Sequence, residues 1–242
     1  MCRYIRLTLI LLLQLGLTIT QANASKMKRD IEGNIKKHGY DLSESGIRAA
    51  LTDANREVVY DSMEYIEQKQ LTGLLPEVKA LFEHADRQEM FEGVKLRFLR
   101  CVISIDKNMP DNVRTGYLER IRKHLFSDEY KSVPIQAYIA LIAAQEHLGV
   151  DIYDDLVHLS CTDIMGSGDF PFDTRTLFEL YGDKVTEADL DKMLEAWSDA
   201  PKREEFILRR AREHGMRLEQ TPESPERQES QETGPPAQQA QN

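Results

Sequence analysis

His158 and Cys161 stand three residues apart, a spacing that puts two side chains on one face of a helix. A thiol and an imidazole so placed offer a thiolate-imidazole pair or two ligands for a metal. The plainer reading of the two is a surface histidine beside a structural cysteine. Directly after them, Thr162 to Thr174 carries Asp163, Asp169 and Asp173 around Gly166 and Gly168. This is the least helical part of the expected domain and the best candidate for a functional loop. Its acids lack the alternate spacing and terminal Glu of an EF-hand, so the plain expectation is a long connection.

Elsewhere the reactive residue types are scattered. The six histidines, His38, His84, His124, His147, His158 and His214, form no His-Glu-x-x-His or other close metal-ligand set. Asp154-Asp155 and Glu204-Glu205 are neighbours in sequence, so on a helix they point apart and read as solvated faces. No nucleophile elbow, Walker loop or dinucleotide fingerprint follows a strand, because no segment reads as one. The expectation is no catalytic set, no metal site and no cofactor.

Whatever these residues do, helices must position them. Apolar residues recur at helical spacing throughout, and the alternation of half-buried strands is missing, so the fold class is all-α. Leu75, Val78, Leu81 and Phe82 mark one stripe, and Phe91, Val94, Phe98, Val102 and Ile105 mark another. His84-Ala85-Asp86 is read as the turn between them, and Pro76 suits a first helical turn. Similar breaks fall at Leu51-Thr52-Asp53-Ala54, Phe126-Ser127-Asp128 and Trp197-Ser198-Asp199, each with an Asp or Ser to cap the next helix. They precede the apolar positions Val58, Val59 and Ile66, then Ile135, Ile139 and Ile142, then Phe206 and Ile207. Thr186 with Asp189 three residues on reads as a helix start, and Gly39 and Gly215 as helix stops.

The turns at Asp53, Ala85, Asp128 and Asp199 are 32, 43 and 71 residues apart, the last about two helical-repeat lengths. On this spacing a further helix pair fills 151–184. The run Leu74 to Phe82, a turn with Asp86, then Glu89 to Ile103 resembles a HEAT or armadillo-type repeat unit. The family's early Val-Arg dipeptide is replaced here by Val58-Val59, Met90-Phe91 and Val133-Pro134. The resemblance covers roughly 43–216 and implies stacked antiparallel helix pairs with an extended protein-binding face. An irregular helical bundle or a TPR-like array is the alternative architecture. Lys26 to His38 reads as an end-capping helix. If repeats touch only their neighbours, Cys101 and Cys161 are not bridged, whereas a compact bundle would allow it.

The chain begins with Arg3 and Arg6, an apolar run from Leu7 to Ile19, and Gln21-Ala22-Asn23-Ala24. That is the pattern of a secretory signal peptide cleaved after Ala24. The run is shorter than the roughly 20 residues of a membrane-spanning helix, and Cys2 precedes it, so neither a stable membrane anchor nor a lipid anchor is expected. Loss of residues 1–24 removes two basic and no acidic residues, moving the formal charge from −10 to −12. Such a chain repels nucleic acid and anionic surfaces. From Thr221 to Asn242 the chain is Gln, Glu, Ser and Pro, too polar to order itself.

The expected organisation is thus a signal peptide at 1–24, a helical-repeat domain at 25–218 and a disordered polar tail at 219–242. The expected location is periplasmic or secreted. The expected function is a non-enzymatic scaffold or adaptor of the bacterial cell envelope that binds another protein or peptide. The alternative is an enzyme or small-molecule binder using the 162–174 loop with His158 and Cys161, suggested also by HEAT-like lyases.

Overall fold

An amphipathic helix is stable in water only when its apolar stripe is covered by another helix, and this chain meets that requirement by pairing successive helices. The computed structural model describes residues 30–127, 130–163 and 172–216. The expected signal peptide, Lys26 to Arg29, most of the 162–174 loop, including Asp169, and the tail lie outside the described residues. Among those described, every regular element is helical: α1 (Ile31–Lys37), α2 (Glu44–Ala50), α3 (Arg56–Lys69), α4 (Leu75–Arg87), α5 (Glu92–Ile105), α6 (Asp111–Leu125), α7 (Ser132–Leu148), α8 (Tyr153–Ser160), α9 (Phe172–Tyr181), α10 (Glu187–Ala196) and α11 (Pro201–Glu213). Short 3-10 turns occupy Thr72–Leu74 and Gly182–Lys184.

Local chemistry sets the ends. Ser43 and Asn55 cap α2 and α3 by accepting the amide hydrogens of Gly46 and Glu57. Thr186 and Asp189 form a reciprocal capping box at α10. Two expected caps are corrected. Asp53 serves α3 at one remove, its carboxylate accepting from the Asn55 amide at 2.6 Å, and α11 starts from Ala200 with no side-chain cap, Pro201 supplying the first-turn geometry in place of Asp199. Gly39 and Gly215 stop α1 and α11 in the left-handed region, at φ 88° and 76°.

The expected turn at His84-Ala85-Asp86 is also corrected: these residues lie inside α4. Ala85 is fully buried, so the apolar register continues through it. The helix closes three residues later, where Glu89 takes φ 49°. There the Met90 amide reaches the Ala85 carbonyl at 3.0 Å and the Glu89 amide reaches Asp86 at 3.1 Å, the paired bonds of a left-handed helix stop.

The described residues divide into two compact units, one running to Ile121 and including Gln136–Val150, the other taking Arg122–Ile135 and the described residues from Asp151 onward. In the first, α4 and α5 form a hairpin, α5 also packs on α3, and α1 and α2 pack on α3. Because α5 is covered on two sides, it buries Leu96, Leu99 and Ile103 as well as Phe98, Val102 and Ile105, while Phe91 stays 44% exposed. Each fully buried Leu or Ile contributes about 1.5–3 kcal/mol. Asn34 on α1 donates to the buried Asp61 of α3 at 2.5 Å, and Arg120 of α6 joins Asp86 and Glu92, both at 2.8 Å, tying α6 to the α4/α5 hairpin.

In the second unit α8 packs on α9, α10 on α11, α8 on α10 and α9 on α11. The expected pair within 151–184 is therefore α8 with α9. Its core holds Leu156, Leu159, Leu177, Phe178, Met193 and Ile207. Cys101 and Cys161 are both free thiols.

Candidate functional site

In the second unit, α8 begins after Ile152 with no side-chain cap from that residue, and Asp151 just ahead accepts from the Tyr153 amide at 3.0 Å. The helix ends at Cys161, whose amide donates to the His158 carbonyl at 3.1 Å. The three-residue spacing does bring His158 and Cys161 to one surface: both line a groove of about 600 Å³ whose other wall carries Asp189, Lys192 and Glu195 of α10. The His158 ring packs on Phe126, their centroids 4.4 Å apart. Burial pushes the Cys161 thiol above its ordinary pKa, so the thiolate of a nucleophilic pair is disfavoured near neutral pH. Asp154 lines the groove, whereas its neighbour Asp155 turns to Arg122 and accepts at 3.2, 3.1 and 2.9 Å.

The floor of α10 is built by Asp189. One carboxylate oxygen accepts from Tyr153 Oη at 2.7 Å and Thr186 Oγ1 at 2.5 Å. Burial raises the Asp189 pKa, but the bonds from Thr186 and Tyr153 outweigh it and hold the acid below its usual range. Burial, with the bond to Asp189, pushes Tyr153 up to about 12.

Of the three loop acids, Asp163 and Asp173 are brought to one side chain that nothing in the sequence singled out, Arg203 of α11. Arg203 is 2% exposed and its guanidinium lies 3.4 Å over the Trp197 ring. It donates to Asp163 Oδ1 at 3.1 Å and to the Thr162 carbonyl at 3.3 Å, and it faces Asp173 Oδ2 at 3.8 Å. Trp197 in turn donates from Nε1 to the Ser160 carbonyl at 2.7 Å. Residues 172–174 belong to α9 and not to a loop, with Asp173 in its first turn. Arg203 therefore holds the end of α8 and the start of α9. This is a positioning role.

The first unit carries a second groove, of about 530 Å³. One wall is α7, presenting Ile139, Ile142 and Ala143; the other is made by Glu64 and Glu67 of α3 with Arg100 and Ser104 of α5. Ile139 and Ile142, expected in a core stripe, are only half-buried, because the groove faces them where a packed helix would. Arg100 Nε lies 3.1 and 3.0 Å from the two Glu67 carboxylate oxygens. Burial nevertheless pushes Glu67 above the usual carboxylate range, Arg100 offsetting it only in part. Glu146 rises from the rim of α7, its side chain 69% exposed.

Among the described residues no group of three or more His, Cys, Asp or Glu is placed to hold a metal ion. No helix among them is long and apolar enough to cross a membrane. Compared with family models, with curated proteins and with solved structures, the chain finds no match.

Proposed function

We propose that this chain is a non-enzymatic scaffold or adaptor of the bacterial cell envelope, exported to the periplasm or beyond it, that holds another protein or peptide. The observation that carries this reading is the first unit's groove, where half-buried Ile139 and Ile142 face the carboxylates of α3. Neighbouring apolar side chains left partly in water along a groove gain burial when a partner covers them. The paired helices support assignment to a HEAT-like arrangement, in which neighbouring pairs carry such walls. The amino-terminal segment supports export, and the acidic balance supports a protein partner over nucleic acid.

The test is capture from envelope extract with residues 25–242 as bait, beside the same chain carrying Ile142→Asp. A stoichiometric partner kept by the first and lost by the second is expected. Equal retention by both, or none by either after crosslinking, overturns the reading.

A second reading, an enzyme or small-molecule binder working through the 162–174 segment, is favoured by one observation: His158 and Cys161 share the second unit's groove with Lys192 and Asp189. It predicts a ligand that raises the melting temperature of the chain and loses that effect in His158→Ala and Cys161→Ser. A metabolite panel that shifts neither chain removes it.

A further inference from the structure

The first unit's groove combines an apolar wall with an excess of negative charge, and that combination selects its occupant. Three carboxylates line it, Glu64, Glu67 and Glu146, against one cation, Arg100. Arg100 is committed to Glu67. Glu64 has only the side-chain amide of Gln68, at 3.4 Å, and Glu146 only His147, at 4.0 Å; neither forms an ion pair with Lys or Arg among the described residues. Of the neighbouring cations, Lys69 pairs with Glu32 at 3.2 Å, Arg97 lies over the Tyr60 ring, and Lys107 donates to Gln70 Oε1 at 2.7 Å at the groove's edge. Beside these two carboxylates, Ile139, Ile142 and Ala143 line the groove along α7. The lining from Ile139 to His147 spans about 12 Å at the helical rise per residue, a length that two turns of a helix would cover.

We propose that this groove takes a Lys- or Arg-bearing amphipathic segment of a partner protein, its apolar face on Ile139 and Ile142 and its basic face toward Glu64 and Glu146. The inference rests on the interaction reading above and names the chemistry of its partner. An acidic segment would meet three carboxylates against Arg100, itself paired with Glu67, and a second copy of a chain with net charge −10 is disfavoured for the same reason. A purely apolar segment would leave the Glu64 and Glu146 carboxylates without a counter-charge from the partner. A basic amphipathic helix satisfies both walls at once and follows the general mode of helix-in-groove recognition. Because Glu64 and Glu146 sit at the rim, their contribution is screened by salt.

The probe is a fluorescein-labelled peptide of about 14 residues, with Leu at the spacing of one helical face and Lys on the other. Its anisotropy is titrated with residues 25–242. Binding at about 10 µM or tighter is expected, weakening about tenfold between roughly 0.05 and 0.5 M salt. The double variant Glu64→Lys with Glu146→Lys, checked by circular dichroism for an unchanged fold, is expected to lose at least about tenfold in affinity. A peptide with Glu in place of Lys should not bind.

If a peptide with Ser in place of Lys binds as well as the Lys peptide, the basic class is wrong, although the groove stands provided Ile142→Asp abolishes binding. If Ile142→Asp leaves Lys-peptide binding unchanged, the groove itself is wrong and the interaction reading loses its support with it. The chain has its own basic run, Lys26 to Arg29, just ahead of α1. A chain starting at Asp30 that binds the peptide tenfold more tightly would name that run as the occupant and overturn the proposal of a separate partner.

Discussion

The Arg203 guanidinium lies 3.8 Å from the Asp173 carboxylate, both side chains are buried, and neither Asp173 oxygen has a hydrogen-bond partner of ordinary geometry. Burial therefore dominates: it pushes the Asp173 carboxyl from 3.8 up to about 6, against the pull of Arg203. Desolvation of an incompletely paired ion outweighs its Coulomb attraction here.

The sign of the resulting pH dependence is set by that shift. Between about pH 4 and about pH 6 the folded chain holds a proton on Asp173 that the unfolded chain has released. Stability from this group thus falls as pH rises through the window, by on the order of 3 kcal/mol. Urea unfolding followed by Trp197, the single tryptophan, is expected to show this loss relative to Asp173→Asn, whose curve should be flatter across the window. Parallel curves for the two chains would show that Asp173 titrates normally.

Arg203→Met keeps much of the side-chain length but deletes the donors to Asp163 and the Thr162 carbonyl and leaves Asp173 buried without a cation. A loss of roughly 3–5 kcal/mol at neutral pH is expected. Adding Asp173→Asn should recover part of it, since the stranded charge is then gone. Full additivity of the two losses in a double-mutant cycle would mean the residues are not coupled.

Thr186→Ala removes one half of the α10 capping box and one of the bonds to Asp189. It should cost about 1 kcal/mol. Asp199→Ala, at a position that looks equally suited to capping but makes no side-chain cap for α11, should change stability by less than about 0.5 kcal/mol. Equal effects in thermal unfolding would contradict the assigned caps.

Cys101 is fully buried with its Sγ 3.7 Å from the Met63 carbonyl, and Cys161 is half-buried. Burial raises both thiol pKa values, that of Cys101 well above the ordinary value. Maleimide labelling of the folded chain is expected to modify Cys161 slowly and Cys101 only in denaturant. Mass spectrometry of labelled peptides reads this directly, and rapid labelling of Cys101 in the native chain would show that α5 is not packed as described.

The helical class, most helix positions and several termini were legible in the residues themselves. Capping residues such as Thr186, left-handed stops such as Gly39, and the 3.6-residue recurrence of Val58, Val59 and Ile66 are local signals, set by backbone hydrogen bonds within a few residues. The shared surface of His158 and Cys161 was legible for the same reason, since three residues apart on a helix is one face. Tertiary packing decided the rest. The turn expected at Ala85 moved because a core position buried by α5 outweighs a weak local break. Ile139 and Ile142 look like core residues in sequence, and only the placement of α3 and α5 leaves them lining a groove. Arg203 carries no local signal at all: its burial, its stacking on Trp197 and its hold on both Asp163 and Asp173 arise from residues up to 40 positions away, and long-range contacts of that kind exist only once the helices have packed.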